Sequence, residues 1–403
     1  VRTKLWSAAP VILILVITAA LYAPTLRLSF ARTEDFGVVR KAELYLRTPD
    51  LLVGRYLHGG EWVRVPTHLS WLVNSAMFHR NPAGWHLTNL IVHLVNVVLI
   101  AGVASLLLRK RYAATAAAAL FALWPAGWMA TAWVTGRSDG TMTTGILATL
   151  LCWLLWRQQG RRWAYPAALF FFALTLLSKE TAFVFIVPLV LLELGVADRP
   201  MRWKPLLAFV AVWCAYGTLV YFHFGFAASN VNPYLLSLNR QAPVLARSTY
   251  ALGHVFAPVH SGPYVLTGAI VAALILAIAP WRIAVWSVVS AAVMLALPVW
   301  LNRGPVVESW YLYASPVFVA LGIGAALARL AGHKRSAPVA ALAAVALVVV
   351  AGYQTNLHLR QWARDCEVWR QVQTAAFDYL DRKWSPPGAT WPFLPPLEQL
   401  RRR

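Results

Sequence analysis

The stretch Asn81-Pro82-Ala83-Gly84-Trp85-His86-Leu87-Thr88-Asn89-Leu90-Ile91-Val92-His93-Leu94-Val95-Asn96, which runs on in apolar residues to Leu108, decides the fold. From Ala83 to Leu108 it is long enough to cross the roughly 30 Å core of a bilayer as one helix. Yet His86, Asn89, His93 and Asn96 fall three, four and three residues apart, which puts them on one helical face. A polar stripe turned toward lipid is expensive, so this face must look into a bundle or a wet cavity.

The rest of the chain supplies the bundle. Apolar stretches recur at 5–28, 83–108, 112–127, 139–156, 163–178, 181–195, 205–222, 263–280, 283–300, 311–330 and 337–353, eleven in all. The third and fifth are short, and the sixth is tilted or partly re-entrant. With 59% hydrophobic and only 13% charged residues, the chain reads as an all-α polytopic membrane protein. Twenty tryptophans suit its interfacial belts. A lone signal peptide does not explain such repetition.

The net charge of +21 is concentrated in connectors: Arg109-Lys110-Arg111, Arg157 with Arg161-Arg162, Arg199 to Lys204, Arg282, and His333-Lys334-Arg335. They follow the even-numbered spans, so they orient helices against anionic headgroups rather than bind nucleic acid. The N-terminus is then cytoplasmic. Segments 29–81, 223–262 and 301–310 and a tail, 354–403, lie outside, leaving a transmembrane domain over 1–353. The first loop reads as holding a surface helix over about Gly37 to Leu52. Pro386, Pro387, Pro392, Pro395 and Pro396 make the end of the tail loop-like. Cys152, Cys214 and Cys366 imply no disulfide framework.

In so uncharged a chain, carboxylates and cations at one membrane face are candidates for chemistry. Glu34-Asp35 follow the first span. Arg137 and Asp139 open the fourth span within Trp133-Val134-Thr135-Gly136-Arg137-Ser138-Asp139. Asp139 reads equally as a helix-start residue, whereas Arg137 offers a fork for phosphate. Ser178-Lys179-Glu180 is either an interfacial ion pair or a phosphate contact. Glu308-Ser309-Trp310-Tyr311-Leu312-Tyr313 and Arg360-Gln361-Trp362-Ala363-Arg364-Asp365 place further charges over the same face. Within the stripe, His86 is the better site candidate, and Asn96 is the one best explained by interhelical hydrogen bonding. Two histidines seven apart, His86 and His93, are a weak metal signal.

Taken in order, the acidic pair, Asn81-Pro82-x-Gly84-x-His86-Leu87-Thr88-Asn89-Leu90-x-x-His93, Gly136-Arg137-Ser138-Asp139 and Leu176-Leu177-Ser178-Lys179-Glu180 resemble the GT-C superfamily of membrane glycosyltransferases. The likeness is to its protein O-mannosyltransferase-like branch, which includes the transmembrane-and-tetratricopeptide-repeat enzymes, and covers residues 5 to about 370 without the repeats. The resemblance implies a bundle of about eleven helices and a polyprenyl-phosphate sugar donor used on the non-cytoplasmic face. It implies a catalytic role for Asp35, with Glu34 beside it, and donor-phosphate contacts from Arg137 and Lys179. His86, Asn89, His93, Asp139, Glu180, Arg64 and Tyr311 become supporting candidates. Trp124-Pro125 stands where relatives have His-Pro, Met129 replaces a glutamate and Trp310 an arginine.

The expected activity is inverting sugar transfer to a hydroxyl of a protein, glycan or lipid in a bacterial inner membrane. Asp35 takes the hydroxyl proton, cations stabilise the departing phosphate, and membrane lipids surround the carrier's groove. The sequence names no cofactor, and a divalent metal is left open. A transporter or flippase for a lipid-linked or anionic solute is the alternative; an inactive envelope scaffold is a third reading.

Overall fold

A computed structural model describes residues 8–57, 62–195, 202–227, 243–260, 262–301 and 306–383. The tail prolines, Arg199 and residues 228–242 of the second long loop lie outside the described residues.

No strand occurs among the described residues, and each expected span contains a helix. These are α1 (Ala9–Tyr22), α5 (Pro82–Leu108), α6 (Arg111–Leu123), α8 (Arg137–Gln159), α9 (Ala164–Leu176), α10 (Ile186–Gly195), α11 (Trp203–Ala227), α13 (Tyr264–Ile278), α14 (Trp281–Leu301), α15 (Ser315–Leu330) and α16 (Ala337–Arg370). Between them lie α2 (Arg32–Arg47), α3 (Pro49–Leu57), α4 (Val65–Phe78), α7 (Trp128–Ala132), α12 (Val244–Phe256) and, at the end, α17 (Gln373–Lys383). Six described helices are long and apolar enough to span a bilayer, and three apolar helices are shorter. The chain is an all-α, multi-pass membrane protein.

The surface is that of a protein in lipid. Ile12, Leu13 and Val16 on α1 and Leu342, Val345 and Val349 on α16 are exposed, while Thr18, Asn89, Asn96, Thr143 and Thr149 are buried. The buried threonines donate back to carbonyls one turn earlier, as Thr18 does to Ile14 at 2.7 Å and Thr149 to Gly145 at 2.7 Å. Helix α8 is central, packed on α5 and α9. Gly145 permits the α8–α9 approach: a Cβ there would lie 2.3 Å from Thr175 Oγ1 and 3.1 Å from its Cα.

Several boundaries differ from the sequence reading. The surface helix is two helices, α2 and α3, broken at Thr48 before Pro49, because proline bars helical geometry in the residue ahead of it. Helix α2 does not lie open to headgroups. Phe36, Val39, Ala42 and Tyr45 are buried, and the helix packs on α4 and α17. The third span stops at Leu123 and turns through Pro125–Gly127. The last continues past 353 to Arg370, 34 residues in all, so the start of the expected tail is helical.

At the end of the bundle carrying the basic connectors, Arg157 and Glu193 form a buried bidentate pair, at 2.9 and 2.7 Å. Glu193 also accepts from Trp153 Nε1 at 3.2 Å and the Arg202 N–H at 2.9 Å. Arg157→Ala leaves that carboxylate buried without its charge partner. A loss of about 3–5 kcal/mol is expected, read as a lower thermal midpoint in lipid nanodiscs, and Arg157→Met with Glu193→Leu should recover most of it.

Candidate active site

Helix α2 begins five residues earlier than expected, so Glu34 and Asp35 stand in its first turn. Carboxylates are favoured there by the unsatisfied N–H groups and the helix dipole. Asp35 is fully buried. Its Oδ2 accepts from the Ala31 N–H at 2.9 Å, a reach-back bond of the capping-box kind. Its Oδ1 accepts from the Thr135 N–H at 3.0 Å and hydroxyl at 2.7 Å. Burial pushes the carboxyl up to about 7, although those three hydrogen bonds oppose the shift. Glu34, on the exposed side of the turn, adds slightly to the rise.

Arg137 is placed otherwise than a phosphate fork requires. It is fully buried, and its guanidinium donates from Nε to Asn89 Oδ1 at 2.6 Å, from Nη2 to the Trp85 carbonyl at 2.8 Å and from Nη1 to the Ser70 carbonyl at 3.3 Å. It joins α4, α5 and α8. The stripe on α5 is used in the same way. Asn89 donates to the Trp133 carbonyl at 2.7 Å, and Asn96 to the Gly140 carbonyl at 3.0 Å. His93 meets the Tyr313 hydroxyl at 2.6 Å and the Ala122 carbonyl at 3.1 Å. His86 makes a longer contact, 3.4 Å, to the Ser29 carbonyl. The stripe faces the bundle, as expected, and all its groups but His86 Nδ1, which is buried without a hydrogen bond, meet protein partners there.

A second cluster lies where α9 ends. Lys179 Nζ pairs with Asp139 Oδ2 and stands 4.1 Å from the centre of the Tyr311 ring. Arg64 holds Glu180 bidentately at 2.8 and 3.0 Å. Burial raises the Glu180 carboxyl, but Arg64 and Lys179 outweigh it and hold the group below its ordinary value. Asp139 serves this pairing, and its Oδ1 is buried without a hydrogen bond. The side chain of Arg64, unlike that of Lys179, retains 18% exposure.

The turn Ser309–Leu312 joins the two regions by sending successive rings different ways. Trp310 packs on Trp133 at 4.6 Å, Tyr311 lies under Lys179, and Tyr313 reaches His93 and Asn96. Sequence reasoning missed Thr135 as the partner of Asp35; its place just before Gly136-Arg137 was the available signal. Among the described residues no three His, Cys, Asp or Glu side chains converge as metal ligands do. No step below uses a metal.

The fold is shared with solved structures of ArnT and of the archaeal oligosaccharyltransferase AglB. ArnT from Cupriavidus metallidurans in the apo state superposes on 94% of this chain and 81% of its own, with TM-score 0.56 and 14% identity. The same protein bound to undecaprenyl phosphate gives TM-score 0.52 over 94% of this chain and 73% of its own, at 16% identity. The archaeal oligosaccharyltransferase AglB from Archaeoglobus fulgidus, in complex with an inhibitory peptide and a dolichol-phosphate, gives 0.53 over 97% and 61%, at 13% identity. In sequence the chain is similar to the protein O-mannosyl-transferases Tmtc2 and Tmtc1 of Drosophila melanogaster. It is 42% identical to Tmtc2 over 107 residues, 25% of this chain, and 37% identical to Tmtc1 over 130 residues, 30% of this chain. The matched stretches span only 11% and 14% of those longer proteins. No protein-family model matches the chain.

Because Asp35 titrates higher in the fold than the value near 4 of an unfolded chain, its contribution to stability is greatest below about pH 4 and is lost as pH rises to about 7. The Thr135 hydroxyl offsets part of that loss by donating to the charged form. Thr135→Val should therefore cost little at pH 4 and about 1.5–3 kcal/mol at pH 8. Thermal midpoints across that range check it; a pH-independent cost would show that Asp35 does not titrate between pH 4 and pH 8.

Proposed function

We propose that this chain is an inverting membrane glycosyltransferase, transferring a sugar from a polyprenyl-phosphate donor to a hydroxyl acceptor on the non-cytoplasmic face. The observation that carries the reading is a carboxyl group buried at the loop end of a GT-C bundle and poised near neutrality. The similarity to O-mannosyl-transferases supports the reaction class, and solved neighbours holding undecaprenyl phosphate or dolichol-phosphate support the donor class.

Asp35 is the general base. A carboxylate offers about four lone-pair directions; three are used here, and the remaining one accepts the proton of the acceptor hydroxyl. That oxygen attacks the anomeric carbon opposite the lipid phosphate, the carbon–phosphate-oxygen bond breaks, and the phosphate leaves with its electron pair. Lys179 and Arg64, around Glu180 and Tyr311, are the cations assigned to that phosphate. Arg137 is assigned to positioning, since its donors are spent within the protein. Glu34 tunes its neighbour. The N-terminus is assigned to the cytoplasm and the C-terminus outside, because the basic connectors gather at the end away from Asp35.

With radiolabelled polyprenyl-phosphate sugars in nanodiscs, turnover should rise with pH through about 7, the base being active when deprotonated. Asp35→Asn should cut turnover by roughly 10² to 10⁴ while the protein still inserts. Near-normal turnover by that variant would remove Asp35 from the role.

Orientation is tested separately in a background without Cys152, Cys214 and Cys366. A cysteine at position 110 should label from the cytoplasm and one at position 365 from outside. The reverse pattern would move the proposed site to the other face.

A further inference from the structure

Arg32 opens helix α2 in a left-handed backbone conformation, φ 58°. Non-glycine residues seldom adopt it, and the strain is about 1–2 kcal/mol. Glycine would relieve that strain. The guanidinium lies against three indoles, 5.5 Å from Trp133, 5.3 Å from Trp310 and 5.8 Å from Trp362. Among the described residues it makes no hydrogen bond, and Glu308 stands 3.8 Å away. Its side chain keeps 34% exposure and opens onto a cavity of about 390 Å³.

The cavity's chemistry is mixed in a telling way. Its walls include the ring of Trp128 and, around it, Arg32, Glu308, His358, Gln361 and Asp365. That is one fixed cation against two carboxylates. The histidines add no charge: burial, with His254 and His358 nearby, holds His260 down at about 3. A lining with net negative charge opposes an anion. Aromatic surface ringed by paired donors and acceptors suits a neutral polyhydroxyl ligand, because each hydroxyl both donates and accepts. The volume lies within the range of small-molecule sites. Arg32 also lies one helical turn before Asp35, so the cavity and the proposed base are carried by the same turn.

We propose that this cavity is a carbohydrate subsite, with Arg32 as its donor and Glu308 and Asp365 as its acceptors. The ligand is a pyranose, either the sugar being transferred or one belonging to the acceptor. The proposal rests on the glycosyltransferase reading for what the sugar is for, but not for whether it binds.

Binding is measured without turnover, by saturation-transfer NMR of methyl mannopyranoside and a panel of other methyl pyranosides with the protein in nanodiscs. Saturable binding of at least one sugar is expected, weakened roughly tenfold or more by Trp128→Ala and by Asp365→Asn and retained in Asp35→Asn. Asp365 is exposed, so its variant keeps the test open if Trp128→Ala does not fold. Displacement by intact polyprenyl-phosphate sugar assigns the site to the transferred unit; undisturbed binding assigns it to the acceptor, and either supports the proposal. No saturable sugar binding, or binding indifferent to both variants, overturns it. So does inorganic phosphate binding that is lost in Arg32→Gln, which would make the cavity an anion site. Sugar binding without transfer would instead fault the catalytic reading alone.

Discussion

One buried guanidinium organises the loop end of this bundle. Arg137 has no bulk water to solvate it, so its donors must find oxygen within the protein, or the cost is several kcal/mol. They find it on α4 and α5 while the residue itself starts α8. Three helices are thereby fixed in rotation as well as in distance. The turn just ahead of Arg137 is fixed with them, and that turn presents Thr135 to Asp35.

The carboxylate of Asp35 then carries the constraint outward. Through Ala31 it secures the start of α2, and through Thr135 it ties the first loop to the start of α8. Around it, Phe30, Phe36, Trp85 and Phe377 close a separate aromatic core that brings α17 over the loop. Arg80 and Arg40 add ion pairs to Glu43 and Asp381 at the rim of that core. These partly buried pairs fix which face of α17 meets α2. The burial that results is what lifts the Asp35 carboxyl toward neutrality.

Charged groups at this end therefore divide by their partners. Arg137 is saturated by neutral oxygens, Lys179 and Arg64 are paired with carboxylates, and Arg32 rests on aromatic faces with the Glu308 carboxylate 3.8 Å away. In a membrane protein this division matters more than the number of cations. A cation whose donors are spent on backbone and amide oxygens, as those of Arg137 are, orders helices.

Much of this was legible before any coordinates. Eleven recurring apolar stretches, most of them of spanning length, state an all-helical membrane bundle, because backbone groups in lipid must be satisfied within each segment. The three-four-three spacing on α5 states that its polar face is inward. The acidic pair and the Gly136-Arg137-Ser138-Asp139 and Ser178-Lys179-Glu180 stretches named the end of the bundle where polar chemistry gathers. What they could not state was which partner each group meets. Arg137 read as a free fork and is an internal tie; Arg32 read as nothing and stands open over a cavity. Thr135, one residue from a quoted motif, proved the nearest partner of Asp35 from 100 positions away. Composition and period act locally along the chain, so sequence alone determined the membrane environment, the helices and their inward faces. Pairing across such distances depends on helix rotation and register, and only the tertiary structure decided it.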